Sequence, residues 1–412
     1  MAHPYYWQIL ALDTGRLSKH NLEGVIRLYF LRLDRAGARP VIINIRSSDP
    51  RLLLQRIVPH LSHIRTLALV AVDQSCSQEV IDMLDKPAPV LESLVLMFDA
   101  AGAESCPLIG QGLFHSTAPC LRGVILKNIR VSDPAPAIFG NLNRLHFDMS
   151  VGPPQPLPYL LGPRLAHMIV SGSVSFAPEY YNNRVWRHVR RLDISCPRVP
   201  HATRWPWDAW RAVQRLGVAG ADLESYISVL DHISGPLILE AYTSAEKSKV
   251  HFDVFPDAGP NPAAGGPAAR KLAGEVPTPH EDPNMPRKSA VYLVLAIVAR
   301  AERVTKLSLR VAEWDHIVTF VSRLPALTDL RLLLRDGDAF SGYSAVLDAP
   351  KLQRVIFRAD FGQNLKQPVL ACEIKSFVEA RLRNLPNGMS IMSERHVPLV
   401  IPPFFRHREN PT

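Results

Sequence analysis

Much that would announce a function is absent from this chain. It has no Gly-x-Ser-x-Gly elbow, no Walker-type glycine loop and no His-Glu-x-x-His helix. Hydrolase, nucleotide-phosphate and metalloprotease chemistry therefore have no residues to start from. Gly110-Gln111-Gly112 lacks the third glycine and preceding strand of a dinucleotide site and reads as a turn. His60 and His63 have a helical spacing that could share a metal, but the sequence offers no third ligand and they read as surface or capping histidines. The sequence yields no catalytic residue, metal site or cofactor site to nominate.

Cysteine is scarce too. The five residues Cys76, Cys106, Cys120, Cys196 and Cys372 are odd in number, widely spaced and free of Cys-x-x-Cys pairs. With no Asn-x-Ser/Thr sequon beyond one spoiled by proline, this fits a reduced intracellular protein of the cytoplasm or nucleus. The N-terminus lacks the basic start and apolar run of a signal peptide. The longest apolar run, 290–299, falls far short of the ~20 residues a membrane helix needs, so no membrane partner is expected. Dense Lys/Arg blocks are missing as well. The net charge of +9, from 47 basic and 38 acidic residues, permits an acidic or nucleic-acid partner without requiring one.

What is present is a recurring phrase. Leu91-x-x-Leu94-x-Leu96, preceded by Ala88-Pro89, returns with variations along the chain. Its middle position falls at Leu67, Leu94, Val124, Leu145, Met168, Leu192 and Leu216, with steps of 27, 30, 21, 23, 24 and 24 residues. It resumes at Leu307, Leu330 and Val355, with steps of 23 and 25. Ten copies at this period are the signature of leucine-rich repeats. The expected fold is α/β: an irregular leucine-rich-repeat solenoid, a curved parallel sheet with helices on its convex side. The Asn or Cys three positions past the last leucine is mostly missing, hence the irregularity. An ordinary α/β domain with short parallel strands is the competing reading. Returning helices are expected over 51–61, 77–84, 222–233, 315–324 and 373–385.

Four regions follow. Residues 1–50, with Tyr6–Leu10 as a short strand or helix end, helical Leu22–Leu33 and β-branched Val41–Ile45, read as an N-terminal cap. Repeats fill 51–244. Residues 245–290 hold eight prolines and balanced charge, six basic against six acidic, and read as a disordered insertion. Further repeats and a C-terminal cap occupy 291–412, with a hairpin-type turn at Pro386-Asn387-Gly388 and a closing strand within 397–405. Trp205, Trp207 and Trp210 stand near Arg204, where aromatics can stack on bases, but they fall between repeat strands, where large side chains fill the core.

Side chains alternate faces along a strand. If the motif leucines point inward, the residues between them form the concave face. Ser93, Val95 and Met97 represent its near-neutral end. From the fourth rung on, Lys and Arg outnumber acidic residues eight to three. There Arg144, His146, Arg191, Asp193, Arg215, Lys306, Arg310, Arg331, Arg354 and Arg358 are the candidate partner-binding residues. Arginine holds carboxylates and phosphates in bidentate fashion, so a protein segment with acidic or phosphorylated side chains suits this end. Solvation of an exposed sheet face is the plainer reading. Binding of a polyanion or nucleic acid is the alternative function.

The phrasing resembles that of the fungal F-box/leucine-rich-repeat proteins. Tyr6-Trp7-Gln8-Ile9-Leu10 is similar to the Leu-Trp-x-x-Ile that follows an F-box there. Leu31–Ile45 is similar to their L-x-R-S-G-x-x-P-L entry to a strand. His60–Leu69, Ala88–Leu96 and Ala118–Leu126 match their repeat style, and the resemblance is best over 1–240. It implies a non-enzymatic substrate receptor of a cullin-type ubiquitin ligase, the repeats holding the target and the F-box the ligase adaptor. The F-box itself, about fifty residues opening with Leu-Pro-x-Glu, is not in the sequence. Either the gene model is truncated, and an adaptor belongs among the partners, or this member binds targets without recruiting the ligase.

Overall fold

The computed structural model describes residues 8–16, 19–71, 76–99, 106–150, 155–157, 160, 162–172, 174–176, 180, 182–195, 209–213, 215–219, 227, 230–231, 235–243, 249–256, 272–277, 297–319, 321–359, 365, 369–393, 397 and 399–400. The chain divides into two compact units, Met1–Gln214 and Arg215–Thr412.

In the first unit eight strands lie side by side in chain order: β1 (Ile9–Asp13), β2 (Val41–Ser47), β3 (Ile64–Ala71), β4 (Ser93–Phe98), β5 (Gly123–Lys127), β6 (Arg144–Met149), β7 (His167–Gly172) and β8 (Arg191–Ser195). Every neighbouring pair is parallel. The register joins Leu10, Ile43, Leu67, Leu94, Val124, Leu145, Met168 and Leu192 into one inward row. A second inward row runs from Leu12 through Leu69 and Leu96 to Ile194, and both rows are buried. One strand per repeat, stacked in sequence order, is the architecture of a leucine-rich-repeat solenoid.

The segment read as a cap is part of the ladder. β1 and β2 continue it without a break, and α1 (Lys19–Ala36) connects them, burying Tyr29, Phe30 and Leu33. Among the described residues of this unit, helices return the chain through the next repeats, as α2 (Arg51–Ile57) and α3 (Ser77–Asp82). Pro50 is the N-cap of α2, and just ahead of it Asp49 Oδ1 accepts from the Arg51 N–H at 3.0 Å. The Arg51 guanidinium bonds Asp49 at 2.8 Å and reaches Glu79 on α3, also at 2.8 Å. That hydrogen bonding holds the Asp49 carboxyl below the usual range. After β4 the described residues of the return path hold a left-handed turn at Leu113–Ser116 and then short 3-10 turns at Ala137–Asn141 and Asn183–Trp186. After β5 the reason is length and proline: steps of 21 to 24 residues leave little chain, and Pro134, Pro136 and Pro156 interrupt it. Aromatic bulk takes the place of helices here. Phe176, Tyr180, Trp186 and Trp210 meet edge-on or tilted, with centroids 5.2–6.5 Å apart. Trp210 is thus core filling, whereas Trp205 and Trp207 lie outside the described residues.

The turn asparagine has not vanished but moved. Asn128 stands two positions past Leu126, buried, in left-handed backbone (φ 55°). Its Nδ2 donates to the Phe98 carbonyl at 2.8 Å and its Oδ1 accepts from the Ser150 N–H at 3.0 Å. One side chain therefore ties three successive rungs. Gly172 closes β7 at φ 82°, where an added Cβ would lie 2.0 Å from the Met149 carbonyl oxygen.

In the second unit a sheet runs β11 (Leu272–Pro277), β10 (Lys249–Pro256), β9 (Leu237–Thr243), β12 (Val304–Arg310), β13 (Asp329–Leu334), β14 (Arg354–Ala359), β15 (Ser390–Ser393). From β9 through β15 the pairing is parallel, with Leu307, Leu330 and Val355 in register. The segment 245–290, expected to be a disordered insertion, supplies β10 and β11, which pair antiparallel with β9 and with each other. The alternation Val250-x-Phe252-x-Val254 outweighs the surrounding prolines over that short span; the rest of 245–290 lies outside the described residues.

Two helices of this unit match their expected places, Trp314–Val318 in shortened form and Ala371–Arg381. Most of 222–233 lies outside the described residues. Pro386-Asn387-Gly388 is a turn, with Gly388 at φ 92°, but not a hairpin. The short strand before it, Leu382–Arg383, pairs parallel with Leu347–Asp348, and β15 after it pairs parallel with β14. Of the expected closing strand, Leu399–Val400 pairs with Val369–Leu370, and 401–405 lie outside the described residues.

Replacing Asn128 by Ala leaves the Phe98 carbonyl and Ser150 N–H without their partner and exchanges Asn for a residue that tolerates left-handed backbone less well. A loss of about 2–4 kcal/mol is expected in urea unfolding, with Asn128→Gly losing less because its backbone is unstrained. Equal stability of Asn128→Ala and wild type would contradict the stitching role.

Candidate interaction face

The ladder that buries two rows necessarily aligns three more on the opposite face. Row one reads Ile9, Ile42, Thr66, Ser93, Gly123, Arg144, His167, Arg191. Row two reads Ala11, Asn44, Ala68, Val95, Ile125, His146, Ile169, Asp193, and row three Asp13, Arg46, Val70, Met97, Lys127, Asp148, Ser171, Ser195. Neighbours within a row are spaced by the strand separation, about 4.8 Å.

Chemistry divides this face into two. Over β3–β5 it is small and apolar, and Ser93, Val95 and Met97 are half-buried like Ala68 and Ile125 beside them. Over β6–β8 it carries charge. Arg144 and His167 are exposed, while Arg191, His146, Asp148 and Asp193 are half-buried. The Arg191 guanidinium contacts the Asp193 carboxylate two residues along its own strand. Asp148 accepts from the Ser150 hydroxyl at 2.7 Å. Burial lowers the readiness of His146 to take a proton, with Asp148 acting in the opposite sense. Arg46 and Asn44 extend the polar surface at the other end; they were overlooked because 1–50 reads as a cap.

The second unit corrects the expectation of a continuous cationic end. Arg354 donates through Nε to Asp329, which is only 4% exposed and also accepts from the Thr328 hydroxyl at 2.9 Å. Arg310 is buried and its Nη1 lies 3.3 Å from Glu313 Oε1, also buried. Lys306 and Arg358 are engaged in contacts of their own. Charges taken from water must find partners, and these find them within the protein. Arg331 is half-buried, in register between Ser308 and Ile356. Arg215 lies on the strand Arg215–Ala219, its side chain outside the described residues.

His60 and His63 meet edge to face at 5.2 Å, with His60 Nε2 3.7 Å from Asp34. Among the described residues no group of three His, Cys, Asp or Glu side chains is placed to hold a metal ion. No described helix is long and apolar enough to cross a membrane.

No family model and no curated protein matches the sequence. Among solved structures, the crystal structure of Listeria monocytogenes InlP is similar over 53% of this chain and 89% of its own, at 8% identity and a TM-score of 0.18. A likeness of that size carries no argument, and the repeat fold rests on the strand order and register.

His146 gives a stability test. A histidine that resists protonation when folded leaves the unfolded chain binding more protons, so stability falls as pH drops through the unfolded value near ~6.5. His146→Gln is expected to flatten the decline of the urea midpoint between about pH 7 and pH 5. An unaltered pH slope would show that burial does not govern this imidazole.

Proposed function

We propose that the protein is a non-enzymatic protein-interaction scaffold that docks a target segment on the outward face of β3–β8. The observation that carries this reading is the aligned apolar patch of Ala68, Val95 and Ile125, half-buried on the outward sheet face. Rigid parallel rungs present such a surface without ordering cost at binding, because the strands are already fixed. The adjoining charged strands add specificity for an acidic or phosphorylated target.

A receptor role of F-box/leucine-rich-repeat type is the finer form of the proposal. It is supported by the repeat phrasing at 60–69, 88–96 and 118–126. Recruitment of a cullin-ligase adaptor would require an F-box ahead of this sequence. An intracellular setting is supported by Cys76, Cys106, Cys120 and Cys372, all free thiols. Polyanion binding through the second unit is the weaker alternative, because Arg310 and Arg354 are already neutralised by Glu313 and Asp329.

Val95→Lys and Ile125→Lys place a charge on the patch without touching the buried rows. Pull-down with full-length protein, read by quantitative mass spectrometry, is expected to lose at least about tenfold of the proteins that wild type recovers specifically. Thermal melting of the variants should stay close to wild type. Recovery of the same proteins in the same amounts would refute docking on this face. Extending the reading frame upstream and recovering no ligase adaptor would remove the receptor form of the proposal.

A further inference from the structure

We propose that Arg144, His167 and Arg191 form an anion subsite for acidic side chains of an extended peptide whose apolar residues lie on Ala68, Val95 and Ile125. This rests on the reading that the face docks a protein segment. The three side chains occupy adjacent places in row one, on β6, β7 and β8. Basic groups directly opposite one another weaken a sheet unless an anion lies between them. The molecule supplies one such anion itself: Asp193 contacts Arg191 from the neighbouring row. That contact shows where a carboxylate sits against this row, and a partner's acid would compete for the same guanidinium.

The other charged groups on these strands and on β5 are Lys127, His146 and Asp148. Asp148 is held by the Ser150 hydroxyl and lies in row three, across from Lys127 and away from Arg144 and His167. Row one therefore carries basic groups only from β6 to β8, and both carboxylates stand in other rows. The second unit offers no equal, since Arg354 and Arg310 are satisfied by Asp329 and Glu313.

Spacing narrows the partner further. Ile125 on β5 lies one strand from Arg144 and two from His167. At about 4.8 Å per strand and about 3.3 Å per peptide residue, acidic residues should follow the apolar ones by roughly two to four positions. Carboxylates and phosphates both suit arginine, which donates parallel N–H bonds to either.

The test uses the full chain and fluorescein-labelled peptides with an apolar half followed by glutamates, by glutamines or by phosphoserines. Anisotropy titrations at low salt should show the glutamate peptide binding about tenfold more tightly than the glutamine peptide. Arg144→Glu should abolish that difference. Asp193→Asn, which releases Arg191, should strengthen glutamate binding about threefold. Tighter binding of phosphoserine would assign the subsite to phosphate, and equal binding to carboxylates. Glutamate and glutamine peptides binding alike, or failing to bind, would overturn the subsite. If Val95→Lys abolishes binding of every peptide while Arg144→Glu changes none, the docking face stands and the anion subsite falls. If neither variant changes binding, both fall.

Discussion

Everything in the first unit depends on the parallel register of eight strands. Two inward rows of aliphatic side chains exclude water together, and removing any one residue opens a gap between two neighbours. A core of this kind grows by addition: each rung buries its leucines only against the rungs on either side. The same register decides the outer surface, because side chains strictly alternate. Core and interaction face are thus two consequences of one alignment, and the apolar patch of Val95 and Ile125 exists because Leu94, Leu96, Val124 and Leu126 point the other way.

Electrostatics separates the two units. On β12–β14 the arginines serve the fold: Asp329 and Glu313 are buried, and each has a guanidinium beside it. A buried carboxylate left without such a partner would cost several kcal/mol. On β6–β8 Arg144 and His167 are exposed, and Arg191 has the Asp193 carboxylate beside it. Residues identical in type and in position within the motif thus play opposite parts, one structural and one available to a partner.

The strands were legible in the sequence because the motif encodes both period and face. Leu67, Leu94, Val124, Leu145, Met168 and Leu192 fall into one row as their spacing implied. That 1–50 shares the repeat rows was not legible, because Ile43 and Ile45 belong to a β-branched run without the leucine phrasing, although they fill the same rows. The way the middle repeats return was not legible, because a period does not reveal that a 3-10 turn and a tryptophan can occupy the space of a helix. Pairing of Arg310 with Glu313 and of Arg354 with Asp329 was invisible, since Glu313 lies beyond the motif and Asp329 comes from the preceding strand. Asn128 escaped notice through a shift of one position. A buried asparagine beside a repeat's last strand residue was the signal that could have found it.

The spacing between motif copies varies from 21 to 30 residues, yet the rows stay aligned across every junction. Length changes are therefore absorbed entirely in the return path. One residue gained or lost inside a strand would exchange its buried and displayed side chains, whereas several gained between strands exchange nothing. The chain can lengthen or shorten over time while each rung goes on showing the same three residues. Its recognition surface and its contour length are free to evolve separately.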